Sequence, residues 1–218
     1  MDIYENTTIF IACPANYASG GPELLHQLGS ELLRRGLDVR MWYYGVQNGK
    51  YPQDAAYRRY HVPFVVNVED APENILVISE SAPGLYGWGA SARKIFWWLS
   101  VDNYLRNLGS ILQRAPRYLW QKPICDNVYI FAPDEQMEHW VQSEYARQFI
   151  KQNRVPEQQI HFVGDYLQSI THAGQMCSGG ALGIHARISS PTIRRRGWHS
   201  RSSSWQLHQI SPGHRSST

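Results

Sequence analysis

Two adjacent glycines, Gly20 and Gly21, separate an apolar run from a leucine-patterned segment in CPANYASGGPELLHQLGSELLRRG, Cys13 to Gly36. Glycine lets backbone N–H groups come close to a ligand, and a helix start offers unpaired donors at the positive end of the helix dipole. The pair therefore points to an anion, phosphate above all; the alternative is that it serves only a tight turn. The pattern is neither G-x-G-x-x-G nor G-x-x-x-x-G-K-[ST]. The next apolar run ends in MWYYG, without the acid that would hold an adenine-side ribose, so dinucleotide and ATP sites lose ground. His26 has Ser30 at i+4 and no acidic partner at helical spacing, so a structural histidine, on the surface or half-buried, is expected. Asp102 suits two duties: a general base, if it reaches within about 3 Å of the proton concerned, or a cap for a helix beginning near Asn103. Ser143 has the same ambiguity before EYARQF, where Glu144 favours the positive end of a helix. Trp97 and Trp98 could stack a sugar ring, but neighbours in a strand point to opposite faces, so at least one belongs to the core.

These residues need elements to hold them. The run TIFIAC, Thr8 to Cys13, lacks polar alternation, as expected of a strand covered on both faces in a parallel sheet. Pro22 and Glu23 suit the first turn of a helix whose stripe is Leu24, Leu25, Leu28, Leu32 and Leu33, and Gly36 stands where a left-handed cap is wanted. LDVRMWYYG then reads as a second strand, giving a strand–helix–strand unit that a right-handed crossover makes parallel. Further strands are predicted at 62–68, 74–81, 94–102, 127–133, 139–143 and 159–164, with helices at 103–113 and 144–153. This alternation gives an α/β class with a mostly parallel sheet.

The last acidic residue is Asp165, so the final 53 residues carry no acid but six arginines, and the net charge of +3 averages an acidic body and a basic tail. From Ala173 onward the text is rich in Ser, Gly and Arg without helical or strand period, which predicts a disordered tail over 168–218 after a folded domain over 1–167. RRRGWHSRSSSW, Arg194 to Trp205, has the composition of an RNA-binding segment, but out-of-frame translation yields the same mixture and no nucleic-acid partner is expected. His185, His199, His208 and His214 lack metal-site spacing. Cys13, Cys125 and Cys177 fit neither a disulfide framework nor a C-x-x-C site, which predicts a reducing, cytoplasmic setting. MDIYENTT carries acids in place of a basic leader, and no run approaches a membrane span, so membrane contact is expected to be peripheral at most, at the inner face.

GGPELLHQLGSELLRRGLDVRMWYY resembles the opening of GT-B glycosyltransferases of the family 4 type: a glycine pair, a Glu, a Leu-rich helix, then RGLDV entering the second strand. RKIFWWLSVDNYL, Arg93 to Leu105, and HWVQSEYARQFIKQNRV, His139 to Val155, are similar to N-terminal-domain segments of bacterial surface-polysaccharide glycosyltransferases, and the likeness covers about Thr7 to Leu167. It implies a Rossmann-like sheet with helices on both faces, the first of two domains that face across a cleft. The reaction implied transfers a sugar from a nucleotide-sugar donor, as substrate, to a glycan or lipid-linked acceptor, with no cofactor and no essential metal. By position, Gly20 and Gly21 would lie by the donor phosphate. Ser100, Asp102 and Asn103 would face the acceptor, with Asp102 the candidate catalytic residue, and Ser143 and Glu144 would stand at the acceptor-side rim. The chain departs from the family after Leu167, where the donor domain with its paired glutamates has no counterpart. The tail is accordingly expected to reflect a shifted reading frame or truncation, and the chain alone to turn over slowly or not at all. The competing expectations are a non-catalytic acceptor-binding domain, or a half-enzyme needing a partner chain, and a small-molecule enzyme on the same fold.

Overall fold

The computed structural model describes residues 1–114, 128–131 and 137–164, and the expected tail at 168–218 lies outside them. Strand β1 (Thr8–Pro14) leads to helix α1 (Gly20–Arg34) and strand β2 (Asp38–Tyr44). A 3-10 turn (Ala55–Tyr60) and the two-residue β3 (Phe64–Val65) follow, then β4 (Ile75–Ser79), a second 3-10 turn (Pro83–Gly87), β5 (Arg93–Trp98) and α2 (Val101–Arg114). The described chain ends with β6 (Glu138–Val141), α3 (Glu144–Gln152), a short 3-10 turn (Glu157–Gln159) and β7 (Ile160–Phe162).

All seven strands pair in parallel in the order β3-β2-β1-β4-β5-β6-β7. The pleat divides each strand between two layers. Ile9, Ile11 and Cys13 of β1, Val77 of β4 and Trp97 of β5 pack with Leu25, Leu28 and Leu32 of α1. Phe10, Ala12, Leu76, Ile78 and Trp98 pack on the opposite face with Val101 and Tyr104 of α2 and Ala146 and Ile150 of α3. Both strand faces are therefore covered, which is why the strands read as apolar runs without alternation. The architecture is a Rossmann-like α/β sheet with helices on both faces. Trp97 and Trp98 are both fully buried, one in each layer, so neither offers a face for stacking.

Helix α1 ends as its sequence predicts. Gly36 has a φ of 81°, its N–H donates to the Leu33 carbonyl at 2.8 Å, and the Leu37 N–H donates to the Leu32 carbonyl at 3.2 Å. This pair of bonds is a Schellman motif. Of the strand expected over 127–133, the described residues 128–131 form bends instead. Phe131 has a φ of 56°, incompatible with extended backbone, and the Tyr129 N–H donates to the Pro83 carbonyl at 3.0 Å outside any ladder. Tyr129 and Phe131 pack into the aromatic layer around Trp98. Among the described residues no helix is long and apolar enough to cross a membrane.

Candidate functional site

From β1 the sheet runs one way through β2 to β3, and from β4 the other way to β7, so the topology reverses between β1 and β4. In open parallel sheets such a switch point leaves a crevice beyond the carboxyl ends of the strands. A cavity of about 610 Å³ lies there, walled by the first turn of α1 with Gly20 and Gly21, by Glu80 just past β4, by Ser100 and Asn103 where β5 passes into α2, and by Arg106 one turn on.

Helix α1 presents bare donors to this space. Ser19 is its N-cap, but the hydroxyl caps nothing. The Tyr57 hydroxyl instead clasps the backbone of Ser19, accepting from its N–H at 2.8 Å and donating to its carbonyl at 3.0 Å. The amides of Gly20 and Gly21 have no acceptor among the described residues, and Pro22 has no N–H to offer. Neither glycine has a positive φ. A Cβ at Gly20 would meet nothing within 4 Å, and one at Gly21 only Leu99 Cδ1 at 3.9 Å. Neither the turn nor the packing of the chain itself therefore requires glycine here. What the missing Cβ atoms provide is open access to two unpaired amides.

His26, one turn further along α1, is fully buried, deeper than its sequence suggests. Its Nδ1 lies 2.7 Å from the Pro22 carbonyl and must carry the proton, leaving Nε2 to accept from the Tyr43 hydroxyl at 2.6 Å. Burial lowers its pKa below the ordinary value, so it is a neutral strut under the helix start.

The sequence reading missed Glu80. It is 2% exposed, yet lines the cavity. Its Oε2 accepts from the Leu99 N–H at 2.9 Å, and the Ser100 amide and the Asn103 side chain also hydrogen-bond the carboxyl. Burial outweighs these bonds and pushes its pKa up to about 7. An acid directly after the buried strand ILVIS was the local signal. Arg106, exposed at the mouth, enters no salt bridge among the described residues. Gln142 also lines the cavity; its amide donates to the Leu99 carbonyl, while its buried Oε1 has no partner among the described residues.

Of the residues singled out from sequence, the structure brings Gly20, Gly21, Ser100 and Asn103 to this one cavity. Ser100 is also the cap of α2, its hydroxyl accepting from the Asn103 N–H at 3.3 Å. Helix α2 starts at Val101, so Asp102 sits within the first turn and does not cap it. Asp102 is exposed, outside the cavity lining, with Oδ1 3.4 Å from the Tyr145 hydroxyl. Ser143 caps α3, accepting from the Ala146 N–H at 3.2 Å. Glu144 is exposed, and hydrogen bonds from Gln148 and then Arg147 hold its carboxyl below the usual range. Neither Ser143 nor Glu144 lines the cavity.

A second cavity, of about 770 Å³, lies by the amino ends of β5 and β6. Three of its charged groups are engaged within the chain: the Met1 ammonium pairs with Glu138, and the Arg93 guanidinium donates to the carbonyls of Asp2 and Glu73. No group of three or more metal-ligating side chains occurs among the described residues. Compared with protein-family models, curated proteins and solved structures, the chain gives no match.

Proposed function

We propose that the chain is the acceptor-side half of a glycosyltransferase that moves a sugar from a nucleotide-sugar donor to a glycan or lipid-linked acceptor, and that it needs a donor-binding half for turnover. The observation that carries this reading is the glycine pair: two adjacent amides, unpaired and uncovered at a helix start, open into a cavity at the switch point. Those donors suit the diphosphate of a sugar donor, where negative charge grows as the bond to the sugar breaks, and preorganised N–H groups favour such a developing charge. The polar wall formed by Ser100, Asn103 and Glu80 suits a ligand rich in hydroxyl groups. The segment resemblance over Thr7 to Leu167 narrows the class from anion binder to sugar transfer.

The test is a backbone amide NMR titration of the whole chain with uridine diphosphate, with nucleotide sugars and with oligosaccharides, each added separately. The Gly20 and Gly21 resonances are expected to move with the diphosphate compounds, and the oligosaccharides to shift resonances of Ser100 and Asn103. Failure of every one of these compounds to shift these four resonances refutes the proposal, as does selective binding of a nicotinamide dinucleotide.

A further inference from the structure

The cavity combines groups of opposite preference. Two amides and the Arg106 guanidinium, all without a partner among the described residues, favour an anion, whereas a nearly inaccessible carboxyl, Glu80, forms part of the same wall. Glu80 is fixed in place: Leu99 holds its Oε2, and Leu99 in turn is the side chain nearest the position a Cβ would take on Gly21. Glu80 and Gly21 thus both neighbour Leu99, the acid at its backbone N–H and the glycine beside its side chain. No lysine or arginine forms a salt bridge with Glu80 among the described residues, so none of them pairs with its charge when it ionises.

We infer that Glu80 is a specificity-determining residue of this site: its carboxyl accepts a hydrogen bond from a neutral, hydroxyl-bearing part of the ligand and turns the anionic part away, toward Gly20, Gly21 and Arg106. This rests on the anion-binding reading of the cavity above and adds which group orients the ligand. A carboxylate accepts hydrogen bonds from hydroxyls but repels phosphate oxygens, so an anion lying against Glu80 requires the acid to hold a proton. Bare anions should therefore bind in competition with ionisation of Glu80, while a sugar-bearing ligand satisfies both walls.

The other titratable groups around Glu80 do not imitate this behaviour between about pH 6 and 8. Burial pushes the Cys13 thiol of β1 up to about 12 and raises the Tyr44 hydroxyl of β2. Arg106 of α2 contributes its guanidinium to the same wall. On α1, Glu23 is turned to Arg59 and Tyr60, and His26, beneath the first turn, is held neutral by burial.

The experiment uses sulfate, which keeps the same charge across this range, titrated into the full chain near pH 6 and near pH 8 and read at the Gly20 and Gly21 amide resonances. Wild-type affinity should fall roughly tenfold from the lower to the higher pH, the scale of one added charge lining the same cavity. Glu80→Gln should bind sulfate with little pH dependence, and more tightly than wild type at the higher pH. A merely structural role for Glu80 would leave the pH profile of binding unmoved. Equal wild-type affinity at both values overturns the inference while leaving the anion site standing, and so does an unchanged slope in Glu80→Gln. If that variant does not fold, the wild-type comparison alone decides. Absence of sulfate binding at either pH overturns the anion reading itself and the inference with it.

Discussion

Replacing Glu80 by Gln tests the burial argument without any ligand. The carboxyl is 2% exposed and its pKa is raised from 4.5 to about 7. Between these values the folded chain retains a proton that the unfolded chain has released, so stability falls as pH rises through that window. The full displacement corresponds to about 3 kcal/mol. His139 works in the opposite sense. It is 3% exposed, and burial lowers its pKa from 6.5 to about 4, so the stability linked to its neutral form is present above 6.5 and lost as pH falls toward 4. Because the two slopes oppose each other, the wild-type curve by itself hides both. The difference between wild type and Glu80→Gln isolates one, since Gln is neutral throughout. Urea unfolding of both proteins near pH 5 and near pH 8 should show the variant gaining on wild type by about 2.5 kcal/mol at the higher pH, since part of the displacement already lies below pH 5. A gain below about 0.5 kcal/mol would mean that Glu80 is solvated or otherwise compensated, and the reasoning about a buried, uncompensated acid would fall.

Two further substitutions separate fold from site. Gly21→Ala should leave the melting temperature unchanged or raise it, since Ala is a better helix former by about 1 kcal/mol in helix interiors and the added methyl meets only Leu99 Cδ1 at 3.9 Å; a loss above about 1 kcal/mol would show that the chain itself needs glycine there. Ser143→Ala should lower stability by about 1 kcal/mol in urea unfolding, because the Ala146 N–H loses its acceptor, and it should leave sulfate binding unaltered, since Ser143 lies outside the cavity lining.

Much of the scaffold could be read from residue patterns because those patterns record burial. The leucine stripe of α1, its Gly36 terminus and the unbroken apolar strands all follow from a sheet covered on both sides. The same signal misleads at NVYIFAP: an apolar run reports that side chains are buried, and Tyr129 and Phe131 are packed with the aromatics on Trp98, but it does not report backbone direction, which Phe131 breaks. Asp and Asn both suit a helix start, so the sequence points to a helix from Asn103 capped by Asp102, whereas α2 begins at Val101 and Ser100 caps it. The glycine pair was legible as the start of a helix, because two glycines and a proline before a leucine stripe mark the passage from loop to helix, and the structure puts that start at the cavity. Glu80 was not, because its importance arises from what closes over it: Leu99 is 19 residues away and Arg106 further still, and no local spacing links them.

The clasp between Tyr57 and Ser19 ties two distant parts of the chain mechanically. One phenol from the segment after β2 grips both backbone polar atoms of the residue that launches α1, so the aim of the glycine amides is set by a residue outside the cavity lining. Any disturbance of the short 3-10 turn at the sheet's β3 margin would swing that launch point like a door pulled at its hinge. The Gly20 and Gly21 N–H groups would then be misdirected while every side chain lining the cavity stayed intact.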